Sequence, residues 1–251
     1  MAVKLKPLAE QVIVLTGASS GIGLCTAQLA AQQGARVVLI ASSTRVLEAL
    51  VSTIGASGGE AICIAADVAV REQVVAAARG AAAHFGRIDT WVNNAGVSIY
   101  GRLDQVSEAE SRRVFDVNFW GVVNGSLAAL PYLLDGGALI NMGSDLPDRD
   151  LPLQGMYSSS KHAVEGFTQA LRAEVVDVDH APISITLIQP GAPAVPGSSY
   201  EQEAGHLQHN AARALDPMRV AEAILQAATG EALEMRLAQR RWPRAARGVA
   251  A

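Results

Sequence analysis

The sequence predicts an α/β protein built as one domain, a doubly wound parallel sheet with helices on both faces, and two features of the chain lead to that expectation. The first is alternation. From Val12 to Ile188, short apolar runs rich in β-branched residues alternate with segments whose apolar residues return at helical spacing, as in successive strand-helix-strand units. The second is a glycine-rich turn, Gly17 to Gly23, joining the first apolar run to the first helix. No linker and no internal repeat interrupts the alternation, so residues 1–251 read as a single unit.

Val12 to Thr16 is the kind of apolar, β-branched run that forms a strand covered on both faces. A helix follows from about Gly21 to Gln33, with Ile22, Ala27, Leu29 and Ala30 at helical spacing and Gly34 placed to end it in a left-handed conformation. Ala35 to Ile40 is the second strand. A helix around Arg45 to Ile54 leads through the short connection Gly55 to Gly59 into a third strand, Ala61 to Ala65. Next come a helix around Ala69 to Phe85 and a strand near Ile88 to Val92, each crossover long enough for a right-handed connection. Downstream, a long helix is expected from about Glu108 to Leu134, a strand at Ala138 to Met142, a helix from about Tyr157 to Val176 and a strand at Ile183 to Ile188. From Gln189 to Gly197, prolines and glycines exclude regular pairing and predict a loop, and the region near 191–215 is expected to form a lid over a site. The stretch near 231–251 carries Arg236, Arg240, Arg241, Arg244 and Arg247 with little periodicity and reads as a solvated tail without an assigned function.

Half of the 251 residues are hydrophobic and 18% are charged, enough apolar surface for a sizeable core. Polar residues interrupt every apolar run short of the ~20 needed to span a bilayer, and the first residues lack the longer apolar region and cleavage site of a secretory signal. The expectation is a cytoplasmic protein with no membrane partner. A net charge of -4 argues against nucleic acid as a partner. Cys25 and Cys63 have no pairing or metal-like spacing and read as buried free thiols. His206 and His209 can share a helical face but lack carboxylate or cysteine partners at a recognisable spacing, so no metal is predicted.

The turn from Thr16 to Gly23 lies where a dinucleotide pyrophosphate meets a helix N-terminus. Gly17, Gly21 and Gly23 permit a tight turn, close approach of backbone to phosphate and close packing of helix on strand, while Ser19 and Ser20 add hydroxyl donors. Alone, such a turn is equally an ordinary loop, and other residues decide between the two. Asp67-Val68 follows the third strand, Asn93-Asn-Ala-Gly96 the fourth, Ser144 the fifth and Pro190-Gly191 the sixth; Asn118 lies in the long helix, and Tyr157-Ser-Ser-Ser-Lys161 opens the next one. In that order, from about Leu8 to Gly191, the chain resembles the classical short-chain dehydrogenase/reductase family, which implies a Rossmann fold and a nicotinamide cofactor.

Tyr157 and Lys161, four residues apart, lie on one helix face where their side chains can meet at a shared substrate or cofactor. A phenol titrates near ~10, and an adjacent ammonium favours its phenolate. The resemblance supplies the roles. Tyr157 gives a proton to the carbonyl oxygen in reduction or removes it in oxidation, Lys161 lowers the tyrosine pKa and hydrogen-bonds the nicotinamide ribose, Ser144 holds and polarises the substrate oxygen, and Asn118 anchors a water in the proton relay. The cofactor set implied in the same way is Gly17, Ser19, Ser20, Gly21, Ile22 and Gly23 at the pyrophosphate, and Asp67 and Val68 at the adenine. Asn94, Ala95 and Gly96 follow along the adenosine, with Tyr157, Lys161, Pro190 and Gly191 completing the set. The alternative for Ser144 is a turn cap and for Asp67 a helix cap. A serine hydrolase is disfavoured because no G-x-S-x-G elbow surrounds Ser144 and His162 has no obvious acid partner.

Discrimination between the nicotinamide cofactors happens at the end of the second strand, where an acid binds the ribose 2′-hydroxyl and repels a 2′-phosphate. The run from Ile40 to Arg45 contains no acid, while Ser42, Ser43 and Arg45 offer hydroxyls and one positive charge, so NADP is favoured over NAD. The chain departs from the family after Pro190-Gly191, where a threonine is usual and Ala192-Pro-Ala-Val-Pro stands instead. The expected function is hydride transfer between the cofactor and a small-molecule carbonyl or alcohol. The alternative is a non-catalytic NAD(P)-binding regulatory or scaffold protein, with that departure as its only support. Leu146, Leu151 and Val195 suggest a hydrophobic substrate. The resemblance also implies a homodimer or homotetramer paired through the helices carrying Asn118 and Tyr157; Ala163, Gly166 and Ala170 would allow close packing there, or equally against an intramolecular neighbour.

Overall fold

Seven strands form one parallel sheet in the order β3-β2-β1-β4-β5-β6-β7 in the computed structural model, which describes residues 3–144, 153–191, 215–230 and 232–237. The strands are β1 (Val12–Thr16), β2 (Arg36–Ala41), β3 (Ala61–Ala65), β4 (Thr90–Asn93), β5 (Gly137–Met142), β6 (Ile183–Pro190) and β7 (Glu234–Leu237). Between them run α1 (Gly21–Gln32), α2 (Thr44–Ala56), α3 (Arg71–Phe85), α4 (Glu108–Phe115), α5 (Gly121–Leu133), α6 (Gly155–Arg172) and α7 (Pro217–Thr229). The order reverses between β1 and β4, and the cleft beyond the C-terminal ends of such neighbouring strands is where ligands bind in open α/β sheets.

Side chains alternate across the pleat and so divide the core into two layers. Ile13, Leu15, Val37 and Leu39 pack with Ala27 and Ala30 of α1, Leu47 and Ile54 of α2, and Val220 and Ile224 of α7. Val12, Val14, Trp91 and Leu139 point the other way, onto Val74 and Ala78 of α3, Ala129 and Leu133 of α5, and Leu171 of α6. Every residue of β1 is buried, as its uninterrupted apolar run requires.

Four sequence expectations are corrected. The helix expected from Glu108 to Leu134 is broken by a wide π-helical turn at Asp116–Trp120, and α6 similarly passes into a π-helical turn at Ala173–Val178. The loop expected to begin at Gln189 does not begin there, because Gln189 and Pro190 complete β6 and lie opposite Arg236 and Leu237 of β7. A proline at the last position of a strand forfeits at most one ladder bond, so it does not exclude pairing there. Arg236, expected in a structureless tail, sits in β7 and pairs with Glu234. Cys25 and Cys63 are half-buried rather than buried, and desolvation pushes both thiols above their ordinary pKa. Among the described residues no helix is long and apolar enough to cross a membrane.

Candidate active site

The three glycines of the first turn do three different things. Gly17 has φ +68°, and a Cβ there would lie 2.7 Å from the Ala95 Cα. Gly23 leaves no room at all, since its Cβ would meet the Gly17 carbonyl oxygen at 2.2 Å. Gly21, at φ +52°, has nothing within 4 Å of its Cβ position and opens α1 onto free space. Two glycines thus pack the turn and the third leaves open the approach to the helix N-terminus, where backbone N–H groups and the helix dipole favour an anion. Ser20 precedes α1 without capping it, and its side chain is exposed; Ser19 and Ile22 are half-buried.

Asn94 locks this turn to the end of β4. Its Nδ2 donates to the carbonyls of Thr16 (3.0 Å) and Gly17 (3.2 Å), and the N–H groups of Asn94 and Ala95 both donate to the Thr16 hydroxyl, at 3.0 and 3.1 Å. Thr16, a supporting residue that sequence reasoning missed, has only its place at the end of β1 as a signal. At the end of β2, Ser42 and Arg45 are exposed, and Arg45 forms no ion pair among the described residues. Asp67 does not cap α3. Its Oδ1 accepts from Ala69 N two residues on, an Asx turn, while Oδ2 pairs with Arg113 of α4 at 3.0 Å. Val68 is buried against Gly121, and its carbonyl accepts from Asn124.

A second group of residues gathers where α6 begins. Lys161 is only 4% exposed; its Nζ donates to the Met142 carbonyl at 2.8 Å and lies 5.8 Å from the centre of the Tyr157 ring. Burial lowers its pKa from 10.5 to about 8, because an ammonium held away from water loses hydration that one carbonyl does not replace. Asn118, wholly buried in the π-helical turn, accepts from Val97 N (2.8 Å) and donates to Val97 O (2.9 Å) and to the Ser160 hydroxyl (3.0 Å). Ser160 in turn donates to the Tyr157 carbonyl at 2.7 Å. Gly96 lies against both Asn118 and Lys161, for a Cβ there would be 3.4 Å from Asn118 Oδ1 and 3.8 Å from Lys161 Nζ.

Gly96, Asn118, Tyr157 and Lys161 are therefore neighbours, with half-buried Tyr157 above and Ser144, buried, two residues beyond the carbonyl that holds Lys161. Pro190 ends β6, and Gly191 N donates to Leu237 O, beside β5 at the same edge of the sheet. Leu146, Leu151, Val195, His206, His209 and the run after Gly191 lie outside the described residues.

Residues 11–204 match the family described as short chain dehydrogenase. This chain belongs to that family. The chain is 44% identical over 230 residues to the uncharacterized oxidoreductase YxnA of Bacillus subtilis, covering 90% of this chain and 64% of that one, so it spans somewhat less than two thirds of that relative's length. Among solved structures it resembles a short chain dehydrogenase/reductase from Burkholderia phymatum in complex with NAD, with a TM-score of 0.83 and 27% identity over 92% of this chain and 90% of the other. It also resembles an alcohol dehydrogenase from Thermococcus sibiricus complexed with 5-hydroxy-NADP, with a TM-score of 0.80 and 28% identity over 93% and 98% of the two chains. Both neighbours hold a nicotinamide dinucleotide, and the open space above Gly21 suits the pyrophosphate of such a group.

Proposed function

We propose that this chain transfers a hydride between a nicotinamide cofactor and a carbonyl or alcohol, with Tyr157 as the general acid and base. The observation that carries the reading is the seat of Lys161, a buried ammonium held on one carbonyl beside the Tyr157 ring. Burying a cation with so little compensation is unfavourable for folding, and such sites are where perturbed groups do chemistry.

A bound nicotinamide cofactor would supply or accept the hydride. Gly17, Ser19, Ser20, Gly21, Ile22 and Gly23 would hold its pyrophosphate, Asp67, Val68, Asn94, Ala95 and Gly96 its adenosine side, and Pro190 and Gly191 its nicotinamide end. The Lys161 ammonium favours the Tyr157 phenolate and so brings proton transfer within reach of neutral pH. The Ser144 hydroxyl holds and polarises the substrate oxygen while charge develops on it. Asn118, fixed by both backbone groups of Val97, steadies the turn from which a water reaches Lys161.

NADP is the preferred cofactor in this reading, because Ser42 and Arg45 stand exposed at the end of β2 and the run from Ile40 to Arg45 holds no acid to repel a 2′-phosphate. Pairing of two copies through α5 and α6 is also part of it. Trp120, Leu127 and Leu134 are 51%, 39% and 42% exposed at seven-residue spacing, an apolar stripe that runs from the residue before α5 to the residue after it. The test is to offer purified protein NADPH or NADH with a panel of aldehydes, ketones, quinones and keto-acyl compounds and to follow nicotinamide absorbance. Consumption that is faster with NADPH is expected; consumption with NADH alone would reverse the cofactor assignment, and none with either would remove the activity.

A further inference from the structure

We infer that Thr168 and Asn141 are positioning residues for the Tyr157–Lys161 pair, setting the seat of α6 on the sheet; this rests on the reading of that pair given above. Three polar bonds tie α6 to the strands beneath it. Lys161 Nζ donates to Met142 O (2.8 Å), Asn141 Nδ2 donates to Thr168 Oγ1 (3.0 Å), and Arg172 Nε donates to Ile185 O (3.1 Å). Positions 161, 168 and 172 are seven and four residues apart, one stripe down the helix. The upper two bonds land on consecutive residues of β5, so whatever fixes Thr168 on Asn141 also fixes where Lys161 meets Met142.

Thr168 and Asn141 are both fully buried, and each uses its polar capacity. The Thr168 hydroxyl accepts from Asn141 and donates to Val164 O at 2.7 Å. Asn141 Oδ1 accepts from Asn93 Nδ2 at 2.9 Å, and Asn93 Oδ1 accepts from Trp91 Nε1 at 2.7 Å; Ser126 of α5 takes a bond from Asn93 at 3.1 Å. One chain of bonds thus runs from β4 through β5 to the middle of α6, beside the buried apolar cluster of Val122, Val164 and Leu187. Apolar side chains repack when a helix slides, whereas a buried donor that loses its acceptor has no substitute in that surrounding. The network therefore admits one height and one rotation of α6. A displacement of about 1 Å at Lys161 is enough to spoil a catalytic geometry.

Thr168→Val keeps shape and deletes the hydroxyl, while Thr168→Ser keeps the hydroxyl. Two readouts apply: turnover, and titration of Lys161 in cofactor-free protein by 15N-lysine NMR, its signal identified by loss in Lys161→Met. Thr168→Val should lower kcat about tenfold with the NADPH Kd changed less than about threefold, since the pyrophosphate turn lies on another element. In the same variant Lys161 should titrate at higher pH as water reaches its ammonium, and Thr168→Ser should restore both values. Asn141→Ser should behave as Thr168→Val does and carries the test if that variant does not fold. A Thr168→Val protein that melts at lower temperature but keeps wild-type kcat and Lys161 titration would overturn the inference and leave Thr168 a stabilising residue only. If wild type shows no turnover that depends on Tyr157, the reading of the pair fails, and the titration alone still supports or overturns the seating of Lys161 by Thr168.

Discussion

At Lys161 function and stability pull in opposite directions. Its pKa is about 8 in the folded chain against 10.5 ordinarily, so between those values the unfolded chain binds more protons and stability rises with pH. Below pH 8 the full penalty of the buried ammonium applies, about 3 kcal/mol at 1.36 kcal/mol per pKa unit. Lys161→Met should therefore abolish turnover and yet stabilise the cofactor-free protein at pH 7 by about 1–2 kcal/mol, once roughly 1 kcal/mol is deducted for the unpaired Met142 carbonyl. Urea unfolding of both proteins at pH 7 and pH 10 measures this; the difference should shrink at pH 10, and a variant less stable than wild type at pH 7 would contradict it. Tyr157 and Lys161 were legible because their four-residue spacing survives folding as one helix face. Met142 and Val97, which hold Lys161 and Asn118 through backbone groups, were not, because a carbonyl carries no mark in the sequence.

At the scale of elements, the glycine turn separates packing from binding. Gly23→Ala drives a Cβ into the Gly17 carbonyl and should destabilise the fold by about 3 kcal/mol or more, seen as a lowered Tm with or without cofactor. Gly21→Ala enters open space and meets only the strain of φ +52°, about 1–2 kcal/mol, so its main effect should be weaker cofactor binding. Equal losses of Tm in the two variants would contradict this division. The turn itself was legible from its glycines, but their separate tasks appear only when Ala95, Asn94 and the Gly17 carbonyl are seen around them. Besides β7, two helical features escaped the sequence reading. The break at Asp116–Trp120 contains Asn118, whose side chain bonds both backbone groups of Val97, 21 residues away, a contact that local periodicity does not signal. α7 does carry a signal, Asp216 capping a helix that starts with Pro217 and repeats apolar residues at Val220, Ala221, Ile224 and Leu225, but the irregular sequence before it obscured the pattern.

For the whole molecule, the parallel sheet was legible because strands buried on both faces read as unbroken apolar runs; β7, four residues long and alternately exposed, carries no such run. The sheet places the β1–α1 turn, the end of β4 and the start of α6 at one edge, and every residue named for the site has meaning only because of that convergence. The stripe of Trp120, Leu127 and Leu134 leads to a prediction at the same scale: Leu127→Glu should convert the expected dimer or tetramer to a monomer in light scattering, with the fold intact by circular dichroism. A wild type that is already monomeric at working concentration would remove that prediction.

The most direct test of the central claim compares wild type with Tyr157→Phe in nicotinamide turnover and in cofactor binding. The variant should bind NADPH as wild type does and lose turnover by about 100-fold or more, as expected when a general acid is missing. Turnover that survives the substitution undiminished would contradict the assignment of Tyr157 as the proton donor.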